Sequence, residues 1–167
     1  DYSHPIAISD NQVNKSQTID VISSLAFEWQ PLPELKITEQ LNYKFGKSTS
    51  DAYYPKTYTE AGTMNNGQAV MSNWEGTNLV SETFANFQKD FGRHALGVMA
   101  GFSWEYYHSR SSSLTARDFV NEALRYENMG AGSPEKNVVS NGLSTNTLLS
   151  GMFRANYTYA DRYLLTL

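Results

Sequence analysis

The stretch LKITEQLNYKF, residues 35–45, limits the fold more than any other part of the chain. Leu35, Ile37, Leu41, Tyr43 and Phe45 occupy alternate positions, and Lys36, Thr38, Gln40, Asn42 and Lys44 fill the positions between them. Glu39 is the single polar residue on the apolar side. Side chains alternate between the two faces of a β-strand, so this pattern builds a strand with one greasy face; a helix would need apolar residues every three to four positions. The ten steps from Leu35 to Phe45, at roughly 3.3 Å each and a tilt of about 40°, rise on the order of 25 Å.

The same period returns in TIDVISSLAFEW (18–29), HALGVMAGFSWEYY (94–107), LLSGMFRANYTYA (148–160) and YLLTL (163–167), and more weakly in residues 77–89. In residues 94–107, Leu96, Val98, Ala100, Phe102, Trp104 and Tyr106 share a face opposite mostly small residues. QPLPE, DFGRH and Asp161–Arg162 read as short connections, since proline, glycine and adjacent charges interrupt a ladder. Residues 46–75 and 109–147 read as long polar connections. A capping-box pattern from Thr115 to Asp118 predicts a short helix in the second, with Phe119, Ala123 and Tyr126 on one face and an end near Gly130. The expectation is all-β: an antiparallel up-and-down meander of about six strands, its connections alternating short and long.

Such strands serve either a soluble sandwich, apolar face inward, or a membrane barrel, apolar face outward. Strand length and the alternation of connections favour the barrel. Aromatic placement does too. Phe27, Trp29, Phe87, Tyr157, Tyr159 and Tyr163 cluster beside the short turns; Tyr43, Phe45, Trp74, Trp104 and Tyr106 cluster beside the long connections. Rings with polar tips suit the two membrane–water interfaces. The rival is a soluble β-sandwich that binds carbohydrate at a cell surface. A net charge of -4 and the lack of a basic patch speak against nucleic-acid binding. With no cysteine, disulfides, thiolate metal sites and Cys nucleophiles are all excluded.

The closing stretch, FRANYTYADRYLLTL, resembles a barrel segment of the SusC/RagA-type TonB-dependent transporters of Bacteroidetes outer membranes. Arg154, Tyr157 and Tyr159 match the family's strand, Asp161 and Arg162 its turn, and Tyr163, Leu164 and Leu165 the strand that follows. FGRHALGVMAGFSWE (91–105) is similar to another strand of that family, and RDFVNEAL (117–124) fits its loop style. The resemblance implies that residues 1–167 are part of a 22-stranded barrel in a Gram-negative outer membrane, plugged by an N-terminal domain. It implies TonB as energy source, a SusD-like surface lipoprotein as partner, and oligosaccharides or peptides as cargo. DYSHPIAISDNQ has no signal-peptide character and the final alternation is unfinished. The reading therefore expects an internal slice, without plug or closing strand.

Candidate sites are few. Tyr53, Tyr54, Tyr58 and Trp74 lie in or beside a polar, Asn- and Thr-rich stretch, and aromatic faces next to amides and hydroxyls suit sugar recognition; packing of the loop is the competing role. Arg154 is expected to face the lumen or the plug. Gly97 and Gly101, four apart on one strand face, imply close approach of the plug or an aromatic neighbour. His4, His94 and His108 lack metal-ligand spacing, and no Ser/His/Asp constellation is readable, so the expectation is a non-enzyme without metal or cofactor.

Overall fold

The structure, a computed structural model, describes residues 6, 8 and 11–167; His4 and most of the N-terminal stretch lie outside the described residues. Six strands follow one another: β1 (Val13–Leu32), β2 (Leu35–Tyr54), β3 (Gln68–Phe91), β4 (His94–Arg117), β5 (Val138–Tyr159) and β6 (Tyr163–Thr166). They form one sheet in chain order, with each strand hydrogen-bonded to the next. The up-and-down meander expected from the alternation is thus observed. A sandwich would need a second sheet over the apolar face, and the described residues supply only this one.

The strands are longer than the alternation indicated. β1 and β2 have 20 residues each, β3 and β4 have 24, and β5 has 22, against a usual length of about five to six. The long connections contract accordingly, to residues 55–67 and 118–137. Residues 46–54, 68–75, 109–117 and 138–147, read as loop from their polarity, are strand. A ladder is held by backbone hydrogen bonds, so it continues where the apolar face stops. The helix predicted from Phe119 to an end near Gly130 is not formed as an α-helix. Thr115–Arg117 complete β4, and the second loop carries 3-10 turns at Arg125–Ala131 and Pro134–Lys136. The first loop carries a helix, α1 (Glu60–Asn65), where the Thr59 hydroxyl caps the Gly62 amide at 3.1 Å.

Two compact units divide the described residues. One takes residues 21–45, 77–108 and 145–167. Its turns are tight: Pro33 and Glu34 join β1 to β2, while Gly92, at φ +65°, and Arg93 join β3 to β4. Ala160 and Asp161, both left-handed, reverse β5 into β6, and the Arg162 amide closes that turn on the Tyr159 carbonyl at 3.1 Å. Pro31 lies one residue from the end of β1, beside the turn, where one lost ladder bond costs the sheet little. Rings gather by the turns: His94 packs on Tyr159 at 4.9 Å between centroids and bonds the Tyr157 hydroxyl at 2.5 Å. Along β4, Trp104, Tyr106 and His108 stack in sequence at 6.2 and 6.4 Å. Leu25, Phe27, Trp29, Phe102, Leu149 and Phe153 are all exposed, in agreement with an apolar face that no layer covers.

The other unit takes residues up to 20, 46–76 and 109–144 and holds both loops. Its core is small: Tyr53, Ala69, Ala116 and Phe119, bordered by Val13, Tyr126, Met129 and Ala131. Tyr53 and Phe119 meet edge to face at 5.6 Å. Asp118, in the left-handed region at φ 62°, ties the loops together. Its amide bonds the Asn65 and Gly67 carbonyls, and its carboxylate accepts from Asn66 and Lys136, each at 2.6 Å. These two donors, Asn66 first, hold the Asp118 carboxyl below the usual carboxylate range.

Candidate functional site

Trp74 is the exposed aromatic around which a site can be built. It sits on β3 at even spacing with Asn78 and Glu82, so it belongs to the polar face of that strand and not to the aromatic belt in which its sequence position placed it. Two glycines make room for the ring. A Cβ at Gly46 would lie 3.0 Å from the indole, and one at Gly76 would lie 2.6 Å from it. The indole is therefore laid across β2 and β3 where side chains are missing, with 39% of Trp74 exposed. Around it runs a cleft of about 250 Å³ lined by hydroxyls, among them Ser48, Ser50, Ser72, Ser113 and Ser140. Ser72 and Ser113 share a hydrogen bond at 3.2 Å. A wider cleft of about 560 Å³ meets the same ring from Asn73, Asn141 and the Glu75–Arg110 ion pair, whose nearest atoms are 3.8 Å apart.

This arrangement offers a flat π surface edged by neutral donors and acceptors. It can hold a ligand that has a non-polar ring face and a polar perimeter. It offers no nucleophile with an adjacent base, and no group of metal-ligating side chains occurs among the described residues.

The tyrosines do not join it. Tyr53 is 1% exposed, its hydroxyl donating to Glu122 at 2.7 Å. Burial, with that carboxylate as second cause, pushes its pKa well above the tyrosine value. Tyr54 ends β2 half-buried, and Tyr58, exposed, sits in the first loop at φ 79°. Arg154 is exposed on β5 and borders a small recess with Asn86, Gln88, Gly97, Met99 and Asn156. Gly97 faces Asn156, while a Cβ at Gly101 would lie 2.7 Å from Met152 and 2.9 Å from Phe84. The close approach expected at Gly101 is thus made by an aromatic neighbour within the sheet. The serine lining was missed because KSTS (47–50) and SRSSS (109–113) read as loop; the signal was serine at alternate positions, Ser48 with Ser50 and Ser111 with Ser113.

A one-layer meander with strands of 20 to 24 residues, short turns at one set of ends and bare apolar side chains is a stretch of wall from a large transmembrane-type β-barrel. The particular kind is given by similarity. The chain is 29% identical to TonB-dependent receptor P3 of Formosa agariphila over 171 residues, 99% of this chain and 16% of that receptor. It is 23% identical to TonB-dependent receptor P26 of the same organism, over 99% of the chain and 17% of the relative. Among solved structures, the RagAB peptide transporter superposes with a TM-score of 0.81 at 12% identity, over 96% of this chain and 18% of that one. The RagAB peptide importer in its open-open state superposes at 0.78. No family model matches. The resemblance to SusC/RagA-type TonB-dependent transporters stands, and it extends over nearly the whole chain, which spans about one sixth of the curated relatives.

Proposed function

We propose that this chain is part of the barrel domain of a TonB-dependent importer in the outer membrane of a Gram-negative bacterium, residues 1–167 contributing strands and two loops. One observation carries the reading: the large aliphatic and aromatic side chains of β1, β4 and β5 line an apolar face left bare, on strands long enough to cross a bilayer. The kinship with TonB-dependent receptors supports it. In this reading TonB supplies the energy, a SusD-like lipoprotein works with the barrel, and oligosaccharides or other large nutrients such as peptides are imported. Trp74 with its serine surround serves as a contact for cargo on the polar, lumen-side wall, and Arg154 lies on that wall nearer the turns. Tyr54 and Tyr58 remain loop-side candidates, while Tyr53 acts through the loop core.

The test is the behaviour of the full-length parent. It is expected in the outer-membrane fraction, released only by detergent, with the heat-dependent gel mobility of a closed barrel. A monodisperse parent that stays in solution without detergent overturns the reading. Within a membrane-inserted parent, Trp74→Ala is expected to weaken cargo binding while leaving insertion unchanged.

A further inference from the structure

Glu39 breaks an otherwise apolar row. On β2 it stands between Ile37 and Leu41, and the same face of β3 carries Leu79, Ser81, Thr83, Ala85 and Phe87. The exposed Phe27 and Phe102 share this face on β1 and β4. The carboxylate is not left loose: the Ser81 hydroxyl donates to one oxygen at 2.7 Å, and the Thr83 hydroxyl donates to the other. Two strands thus hold a half-buried acid in a fixed pose on a surface that the barrel reading gives to hydrocarbon.

Hydroxyls orient a carboxylate but do not neutralise it. Each carboxylate oxygen has a second lone pair to offer, and acyl chains provide no donor. Lipid headgroups are out of reach. Four steps separate Glu39 from the start of β2, on the order of 10 Å of depth. The sheet has no cation of its own beside this acid. Among the described residues, the Lys and Arg at these face positions of β2, β3 and β4 are Lys47, Lys89 and Arg110. Lys47 lies eight steps further along β2, beyond the reach of a side chain. Arg110 pairs with Glu75 at 3.8 Å, and Lys89 lies at the turn, paired with Glu34 at 3.3 Å.

We propose that Glu39, gripped by Ser81 and Thr83, is the docking point for a second, different membrane-embedded protein that presents a lysine. The long aliphatic stem of lysine suits an apolar contact and its ammonium supplies the missing charge. A second copy inserted in the same orientation meets this face with residues of equal depth, and the described face positions of β2, β3 and β4 beside Glu39 carry no Lys or Arg. The inference rests on the barrel reading.

The experiment uses the full-length parent in its native outer membranes, treated with dicyclohexylcarbodiimide, followed by mass spectrometry of the peptide that contains Glu39. The expected result is an amide between Glu39 and a lysine of another protein. Glu39→Gln, whose amide oxygen still accepts from one hydroxyl, is expected to insert normally and to lose the link. Ser81→Ala with Thr83→Ala keeps the acid, frees its pose and is expected to reduce the link. Recovery of Glu39 unlinked, free or as the carbodiimide acylurea, overturns the proposal, as does a link to another copy of the parent. A parent absent from the membrane fraction overturns this and the barrel reading together, whereas an inserted parent with an unlinked Glu39 overturns this inference alone.

Discussion

Glu122 accepts from two donors at once, the Tyr53 hydroxyl at 2.7 Å and the Lys56 amide at 2.9 Å. One carboxylate from the second loop therefore satisfies a buried ring hydroxyl and a backbone group of the first. Glu122→Ala strands the tyrosine donor in the loop core, which costs about 1–3 kcal/mol of loop stability; Tyr53→Phe removes the donor itself and is milder, about 0.5–1.5 kcal/mol. Hydrogen exchange in residues 53–67 and 118–137 should quicken in that order, and equal exchange in both variants would refute it. The pH dependence has a definite sign. The folded pKa of Tyr53 is raised, so the fold prefers the neutral phenol. That preference stabilises the loop fully below the unfolded value of about 10 and is lost as pH rises beyond it. Alkaline exposure should therefore open the loops first, and Tyr53→Phe should blunt the effect. None of this was legible beforehand, because Tyr53 and Glu122 are 69 positions apart and each reads locally as an ordinary loop residue.

At the scale of the element, the period-two rows of β2, β4 and β5 announced themselves because one face is apolar throughout. The extensions of β2, β3 and β4 did not, because KSTSDAYY, QAVMSN and SRSSSLTAR carry no unbroken apolar row on either face. Polarity marks where a strand leaves a greasy surrounding, and only backbone pairing marks where it ends. The helix was misplaced for a related reason. Thr115 and Asp118 have the spacing of a cap, yet pairing with β3 keeps residue 115 extended, and Asp118 is spent on joining the loops. The candidate site was legible as Trp74 but not as a platform, since that depends on Gly46 and Gly76 lying under one ring. Gly76→Ala tests the platform directly. A methyl 2.6 Å from the indole displaces it, so Trp74 fluorescence should shift and cargo affinity fall as far as in Trp74→Ala. An unchanged spectrum with unchanged affinity would show that the ring needs no such bed.

For the whole molecule, the question is which solvent wets the apolar face, and substitution by depth can answer it. Ala100 lies on that face of β4, about midway between the His94 ring cluster and the Trp104–Tyr106–His108 stack. Its small side chain means that replacement removes little packing. In a bilayer, Ala100→Arg places a guanidinium near the midplane at a cost of about 2–4 kcal/mol, whereas His108→Arg, at the loop-side end of the stacked rings, costs about 0–1 kcal/mol. Gln40→Arg, on the polar face of β2, should cost little because it enters water. Refolding of the parent into lipid vesicles, followed by denaturant titration, measures all three. A hydrocarbon slab penalises charge by depth, so the barrel predicts Ala100→Arg far above His108→Arg, with Gln40→Arg near the parent. A water-filled surround would level the three, because an exposed arginine costs the same wherever water reaches it. The ordering tests the medium itself, independently of cargo, partner or energy source.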